Sequence, residues 1–138
     1  MNKWLQSTPL KFDGMLLVFR MVVGLGMAFG HGLPKFQKLV AGGEIKFYSF
    51  LGMGPEISLV LAVGAEFFAS LLLVLGLWTR LSLIPLIITM AVAVFLVHGG
   101  DPFSKMETAL LYLGAYVLLL VMGPGRFSLD HLISSRKR

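Results

Sequence analysis

The chain has 138 residues, 57% of them hydrophobic and only 14% charged, with a mean hydropathy of +0.84. Soluble domains carry roughly a quarter charged residues, so this composition excludes an ordinary soluble fold and points to a membrane protein. The absence of cysteine removes disulfides, thiolate metal sites and thiol relays, and the net charge of +5 reads as attraction to anionic lipid rather than to nucleic acid.

The N-terminal stretch MNKWLQSTPLKFD mixes Lys3, Trp4 and Lys11 as an interfacial segment does, with Pro9 interrupting any continuous helix. A signal peptide does not fit, because the apolar run that follows contains Arg20 and is not closed by a small-residue cleavage site. Four apolar stretches, at about residues 14–32, 57–78, 81–97 and 106–122, meet the roughly 17 to 25 residues that a helix needs to cross a ~30 Å hydrocarbon core. They use more than half of the chain. The expectation is an all-α, polytopic membrane four-helix bundle, one domain over residues 1–138, with 123–138 as a cytoplasmic tail.

Between the first two spans, LPKFQKLVAGGEIKFYSFLGMG sets Phe36, Leu39, Val40, Phe47, Phe50 and Leu51 among lysines and is broken by Gly42 and Gly43. It reads as an outer amphipathic lid of one or two short helices. Pro55 and Glu56 suit a helix start, since proline lacks an amide hydrogen that the first turn leaves unpaired and an acid complements the dipole. Ser104 to Glu107 matches the S-x-x-E capping box at the head of the fourth span, and Gly123-Pro124-Gly125 ends it. An even number of spans puts both termini on one side with Lys3, Lys11, Arg80, Arg126, Arg136, Lys137 and Arg138, against Lys35, Lys38, Lys46 and Lys105 on the other. Positive charge near span ends marks the cytoplasmic face, so both termini are expected inside.

Two charges lie within the spans. Arg20 falls roughly 9 Å below the inner boundary, at ~1.5 Å per residue, while Glu66 falls near the bilayer midplane. Ionised groups there cost at least ~2.5 to 3.5 kcal/mol and pair inside a bundle, so an interhelical Arg20–Glu66 pair is expected, either as a structural clamp or as a proton or ligand site. Ala62, Ala65, Ala69 and Gly76 flank Glu66 on one stripe, and Arg20, Gly24, Met27 and His31 form another, because eleven residues nearly complete three turns. Gly26 and Gly30 make a GxxxG pair suited to close helix packing. The same glycines do not make a nucleotide loop, since no strand precedes them.

His31 closes the first span, His98 the third, and Glu107 opens the fourth, so all three should reach the outer boundary. Such a set could form a ligand mouth that hydrogen-bonds a quinone head group or, less favoured, ligates a metal. The other reading is that each is an ordinary helix-end residue. Lys35 belongs to the same mouth, meeting lipid headgroups or Glu107. Asp101 reads as a loop residue and His131 as part of the tail.

The arginine followed by glycines, phenylalanine and HGLPKF, then VGAEFF, LGLWTR and MGPGRFSLD, resembles the DoxX family of small bacterial membrane proteins over about Arg20 to Asp130. That resemblance implies a four-helix bundle of the bacterial inner membrane, often described as an oxidoreductase through similarity to a subunit of thiosulfate:quinone oxidoreductase. Some members of the family are thought to scaffold soluble redox partners. The family's charged motif positions carry over to Arg20, Lys35, Glu66 and Arg80, with His31 and His98 as polar companions. The functional expectation is a membrane subunit that binds a quinone-like or other small ligand within the bundle and supports redox chemistry. The alternatives are a non-catalytic scaffold for a soluble redox enzyme or another membrane subunit, and a small transporter formed as a homo-oligomer.

Overall fold

The computed structural model describes residues 12–137. The N-terminal segment containing Lys3, Trp4 and Pro9 lies outside the described residues, as does Arg138. Four long apolar helices, α1 (Phe12–Ala41), α2 (Pro55–Leu75), α3 (Thr79–Val97) and α4 (Phe103–Met122), are each long enough to cross a bilayer, and a short α5 (Leu129–Arg136) follows. No strand occurs among the described residues. The protein is an all-α membrane bundle in which α1 packs on α2, α2 on α3 and α3 on α4, while α4 meets α1 more sparingly. The end where α1 begins and α4 finishes is called the tail end here; the opposite end carries the α1–α2 connection and is called the lid end.

The core is a column of Leu16, Met27, Leu73, Leu83, Leu86, Tyr116 and Leu119. In lipid the hydrophobic effect contributes little between helices, so cohesion rests on close packing, and small residues decide where backbones meet. A Cβ on Gly24 would lie 2.5 Å from Val74, and one on Gly32 would lie 2.5 Å from the backbone oxygen of Glu66. Ala62 and Ala69 are buried on α2. Gly26 faces the Tyr112 hydroxyl of α4, but Gly30 has open space where a Cβ would point, so the GxxxG pair does not act as one packing surface.

Three of the long helices widen into π-helical segments, Ala28–Gly32, Gly64–Ala69 and Ala93–Val97. A π turn takes in about one extra residue, so it shifts the phase of everything that follows. On α1 the buried face reads Leu16, Arg20, Val23, Gly24, Met27 and then Ala28 and Gly32. His31 is therefore turned off the stripe on which uniform α-helical spacing places it.

The expected amphipathic helical segment after the first span is present, and it is continuous with that span. α1 does not stop at Gly32 but continues to Ala41, with Pro34 accommodated at the first turn after the π segment, and Gly42 at φ 71° ends it. The lid thus has one short amphipathic helical stretch, Leu33–Ala41, followed by a single 3-10 turn, Phe50–Gly52. Ser58 anchors that turn: its hydroxyl donates to Gly54 O (2.7 Å) and accepts from the Phe50 amide (2.8 Å). Pro55 starts α2 with Glu56 in its first turn, as expected. The capping box at the head of α4 does not form. The helix begins at Phe103, which makes Ser104 a helical residue, and no side chain caps that end.

The segment after α4 is folded against the bundle. Ser128 caps α5 by accepting from the His131 amide, and the two Asp130 carboxylate oxygens accept from the amides of Trp78 (2.7 Å), just before α3, and Thr79 (2.8 Å), its first residue. The Asp130 amide donates to Gly76 O at 2.9 Å. This contact suits the tight turn between α2 and α3, where Gly76 (φ 67°) and Trp78 (φ 48°) adopt left-handed conformations.

Candidate functional site

A cavity of about 250 Å³ opens between α2, α3 and the lid segment. Phe47, Tyr48 and Phe50 form its roof, Ala62 and Ala65 its α2 wall, and Ile88, Val92 and Ala93 part of its α3 wall. Small side chains on α2 leave the room, and the π segment of α3 begins at Ala93 within the wall. Among mostly apolar neighbours stands one carboxylate, Glu66, only 4% exposed. Thr89 also lines the wall, but its hydroxyl donates to Pro85 O at 2.7 Å within its own helix.

The partner of Glu66 is Lys35, whose ammonium hydrogen-bonds the Glu66 carboxylate. Local geometry explains why. Gly32 sits against the backbone of Glu66 and Phe67, and side chains on a helix lean toward its N-terminus, so Lys35 on the following turn reaches back to the carboxylate. The Lys35 side chain remains 27% exposed and the Glu66 side chain 5%. Beside the pair, Phe36 stacks on Phe67 with ring centroids 5.3 Å apart, and Phe68 packs edge-on against both. A carboxylate at this depth requires a counter-charge, and Lys35 supplies it.

The expected Arg20–Glu66 pair is overturned. Arg20, 1% exposed, directs its guanidinium to the tail end, where Nε donates to Val74 O (3.4 Å), one terminal nitrogen to Phe127 O (2.6 Å) and the other to Pro124 O. Three carbonyls that ended or followed helices find a donor, and the segment after α4 is tied beneath the bundle. Arginine's planar fork suits this task, since its donors diverge toward several acceptors at once. A reading of residues 123–138 simply as a cytoplasmic tail offers Arg20 no such partners.

The three residues of the expected mouth are placed separately. His31 packs edge-on against Tyr112, with centroids 5.8 Å apart. His98 Nδ1 bonds Asp101 Oδ2 at 2.9 Å in the α3–α4 loop, and this hydrogen bond from the imidazole holds the Asp101 carboxyl below its ordinary range. Glu107 is exposed on the first turns of α4. None of the three lines the cavity, and among the described residues no group of three or more His, Cys, Asp or Glu stands ready to hold a metal. Lys35 alone of the expected mouth reaches the cavity's charged group.

Other residues escaped the sequence reading. Gly32 makes the tightest approach to the backbone of α2, Asp130 caps α3, and Tyr116 is fully buried with its hydroxyl toward Val23 O at 3.4 Å. Glu66 and His31 both lie inside π segments, a local geometry that recurs at functional sites.

No solved structure matches the chain. A protein of Haemophilus influenzae, described as "Uncharacterized protein", is 30% identical over 112 residues, covering 76% of this chain and 74% of the relative. The family model described as DoxX matches residues 15–99, which include Arg20, His31, Lys35, Glu66, Arg80 and His98. With well over half of its residues matched by that model, the chain belongs to the DoxX family.

Proposed function

We propose that the protein is a membrane subunit of the bacterial inner membrane that holds a small, largely apolar molecule with a carbonyl- or hydroxyl-bearing head, of the quinone type, and thereby supports redox chemistry. The observation that carries this reading is the meeting of a mostly apolar cavity of about 250 Å³ with one buried carboxylate, itself paired to a lysine. Pockets for small molecules have this composition: apolar walls, and a few polar groups that fix orientation. The Lys35 ammonium is a donor suited to a carbonyl oxygen, and the Glu66 carboxylate is an acceptor suited to a hydroxyl. The chain has no cysteine to carry electrons, so a partner protein or the bound molecule itself supplies them. In this reading the tail end is cytoplasmic, which agrees with the excess of arginine and lysine near it.

The test is purification in mild detergent, extraction of bound apolar molecules and their identification by mass spectrometry. The wild-type protein should retain a carbonyl- or hydroxyl-bearing lipid-soluble molecule. Retention should drop severalfold in Ala62→Leu, which fills the cavity, and in Glu66→Gln, which removes the charge without changing shape. Equal recovery from all three folded proteins would defeat the proposal.

A further inference from the structure

A second opening lies at the tail end, and it shares no lining residue with the cavity that carries the proposed function. This broad groove of about 590 Å³ runs between the α2–α3 turn, the start of α1 and the segment after α4. Trp78, Arg80 and Leu81 line one side and Gly125, Arg126 and Asp130 the other, with Asp13 between them.

Charge is unevenly divided between the two ends. Of the seven acidic residues in the chain, Glu44, Glu56, Glu66, Asp101 and Glu107 belong to α2 or the lid end, leaving Asp13 and Asp130 at the tail end. Both are engaged. Asp130 gives one carboxylate oxygen to the Trp78 amide and the other to the Thr79 amide, and Asp13 Oδ1 accepts from the Arg126 amide (3.1 Å) while Oδ2 stands 3.8 Å from Arg126 Nε. The arginines are less fully used. Arg80 Nε donates to Leu120 O (3.3 Å), and its terminal nitrogens have no hydrogen bond to the described residues. The Arg126 side chain is 78% exposed. The groove therefore offers open donors on two guanidinium groups, while its carboxylates are already occupied. In its wall the buried Thr79 hydroxyl also lacks a partner among the described residues.

Its surroundings identify the anion. Trp78 and Leu81 are 62% and 64% exposed at the rim, and along the same face of α3 follow exposed Ile84 and Ile88. A ligand seated here has a charged head between arginines, an aromatic belt residue beside it, and an apolar track leading toward the bilayer. Basic pockets between membrane helices bind phospholipid head groups in this manner, and guanidinium matches a phosphodiester through paired hydrogen bonds. We infer that the groove between Arg80 and Arg126 is a binding site for the head group of an anionic phospholipid, with its acyl chains lying along the exposed face of α3.

The test titrates short-chain phosphatidylglycerol onto the detergent-purified full chain and counts bound lipid by native mass spectrometry. One lipid should bind saturably, and Arg80→Gln combined with Arg126→Gln should weaken it roughly tenfold or more. Phosphatidylcholine at the same concentration should bind much less, and inorganic phosphate should not displace the lipid. Because Arg80 also holds the end of α4, Arg126→Gln alone is the control for folding, and a severalfold weakening is expected from it. Unchanged affinity in a folded variant, equal binding of phosphatidylcholine, or displacement by inorganic phosphate would each overturn the site as one for anionic lipid. The retention of apolar molecules by the cavity variants is a separate readout, so the two proposals fail independently.

Discussion

Arg20 and Lys35 lie on the same helix, and both direct a cationic group into the bundle, yet their surroundings differ in kind. At the tail end, the Arg20 guanidinium is enclosed by the carbonyls of Val74, Pro124 and Phe127. Its donors go to backbone, to one carbonyl in the last turn of α2 and two in the segment after α4. Nearer the lid, Lys35 meets a single carboxylate, and that carboxylate lines the apolar cavity. The first arrangement holds the chain together; the second leaves a charged pair beside an apolar cavity, where the proposed ligand would sit. Depth in the membrane does not distinguish these roles, but the partners and the adjoining volume do.

The sharpest way to break this comparison is at Arg20. Replacement by alanine leaves the carbonyls of Val74, Pro124 and Phe127 without their donor, and each buried unpaired acceptor costs about 1 to 3 kcal/mol, so a loss near 3 kcal/mol or more is expected. Thermal unfolding in detergent measures it, and limited proteolysis should show cleavage after Gly123 that the wild type resists. If Arg20→Ala leaves both readouts unchanged, the guanidinium does not hold the tail. A structural role also means that Arg20→Ala, where folded, retains apolar ligand better than Glu66→Gln does.

Two glycines only two residues apart on α1, on opposite faces of the helix, provide the next comparison. A Cβ at Gly32 would meet the Glu66 carbonyl oxygen at 2.5 Å and the Phe67 Cα at 2.7 Å, both backbone atoms that cannot swing aside. Gly32→Ala should therefore separate α1 from α2 at a cost of about 2 to 3 kcal/mol, toward the upper end for overpacking, and should loosen the Lys35–Glu66 pair. Gly30→Ala meets nothing within 4 Å and gains helix propensity, so it should be neutral or stabilising by up to about 1 kcal/mol. Equal melting temperatures for the two variants would contradict the close approach at Gly32.

These glycines also show what was legible in the sequence. The four spans followed from hydropathy and length, and Pro55, Glu56 and the glycine-rich turns set several boundaries within two or three residues. Arg20 and Glu66 stood out because ionisable groups are rare in a span, but their partners were not legible. Periodic spacing carries a stripe along a uniform helix, and the π segment at Ala28–Gly32 breaks that uniformity. It puts Gly32, rather than His31, against α2, and so brings Lys35 to Glu66. Nothing in the residue pattern AFGHG announces such a widening. The backbone acceptors of Arg20 were hidden for another reason. Hydrogen-bonding carbonyls are common to every residue, so no sequence motif marks Pro124 or Phe127 as an arginine's partner.

The smallest expected effect lies at the lid end, in the α3–α4 loop. The hydrogen bond from His98 keeps the Asp101 carboxyl below its ordinary value of 3.8. A depressed folded-state pKa means that the unfolded chain binds the proton more readily, so the stabilisation is present above that value and is lost as pH falls through the lower, folded one. Both side chains are partly solvent-exposed, and water screens the interaction, so the shift in melting temperature should be slight. His98→Ala should remove the largest cause of the depression and raise the Asp101 pKa toward its ordinary value, with only the charge of Lys105 still lowering it, which NMR of the carboxyl carbon can follow. It should leave untouched both the lipid retained at the tail end and the apolar molecule in the cavity, since His98 lines neither space. Loss of the apolar molecule in His98→Ala would extend the site to the loop and blur the distinction between the charged pair at the cavity and the histidines beyond it.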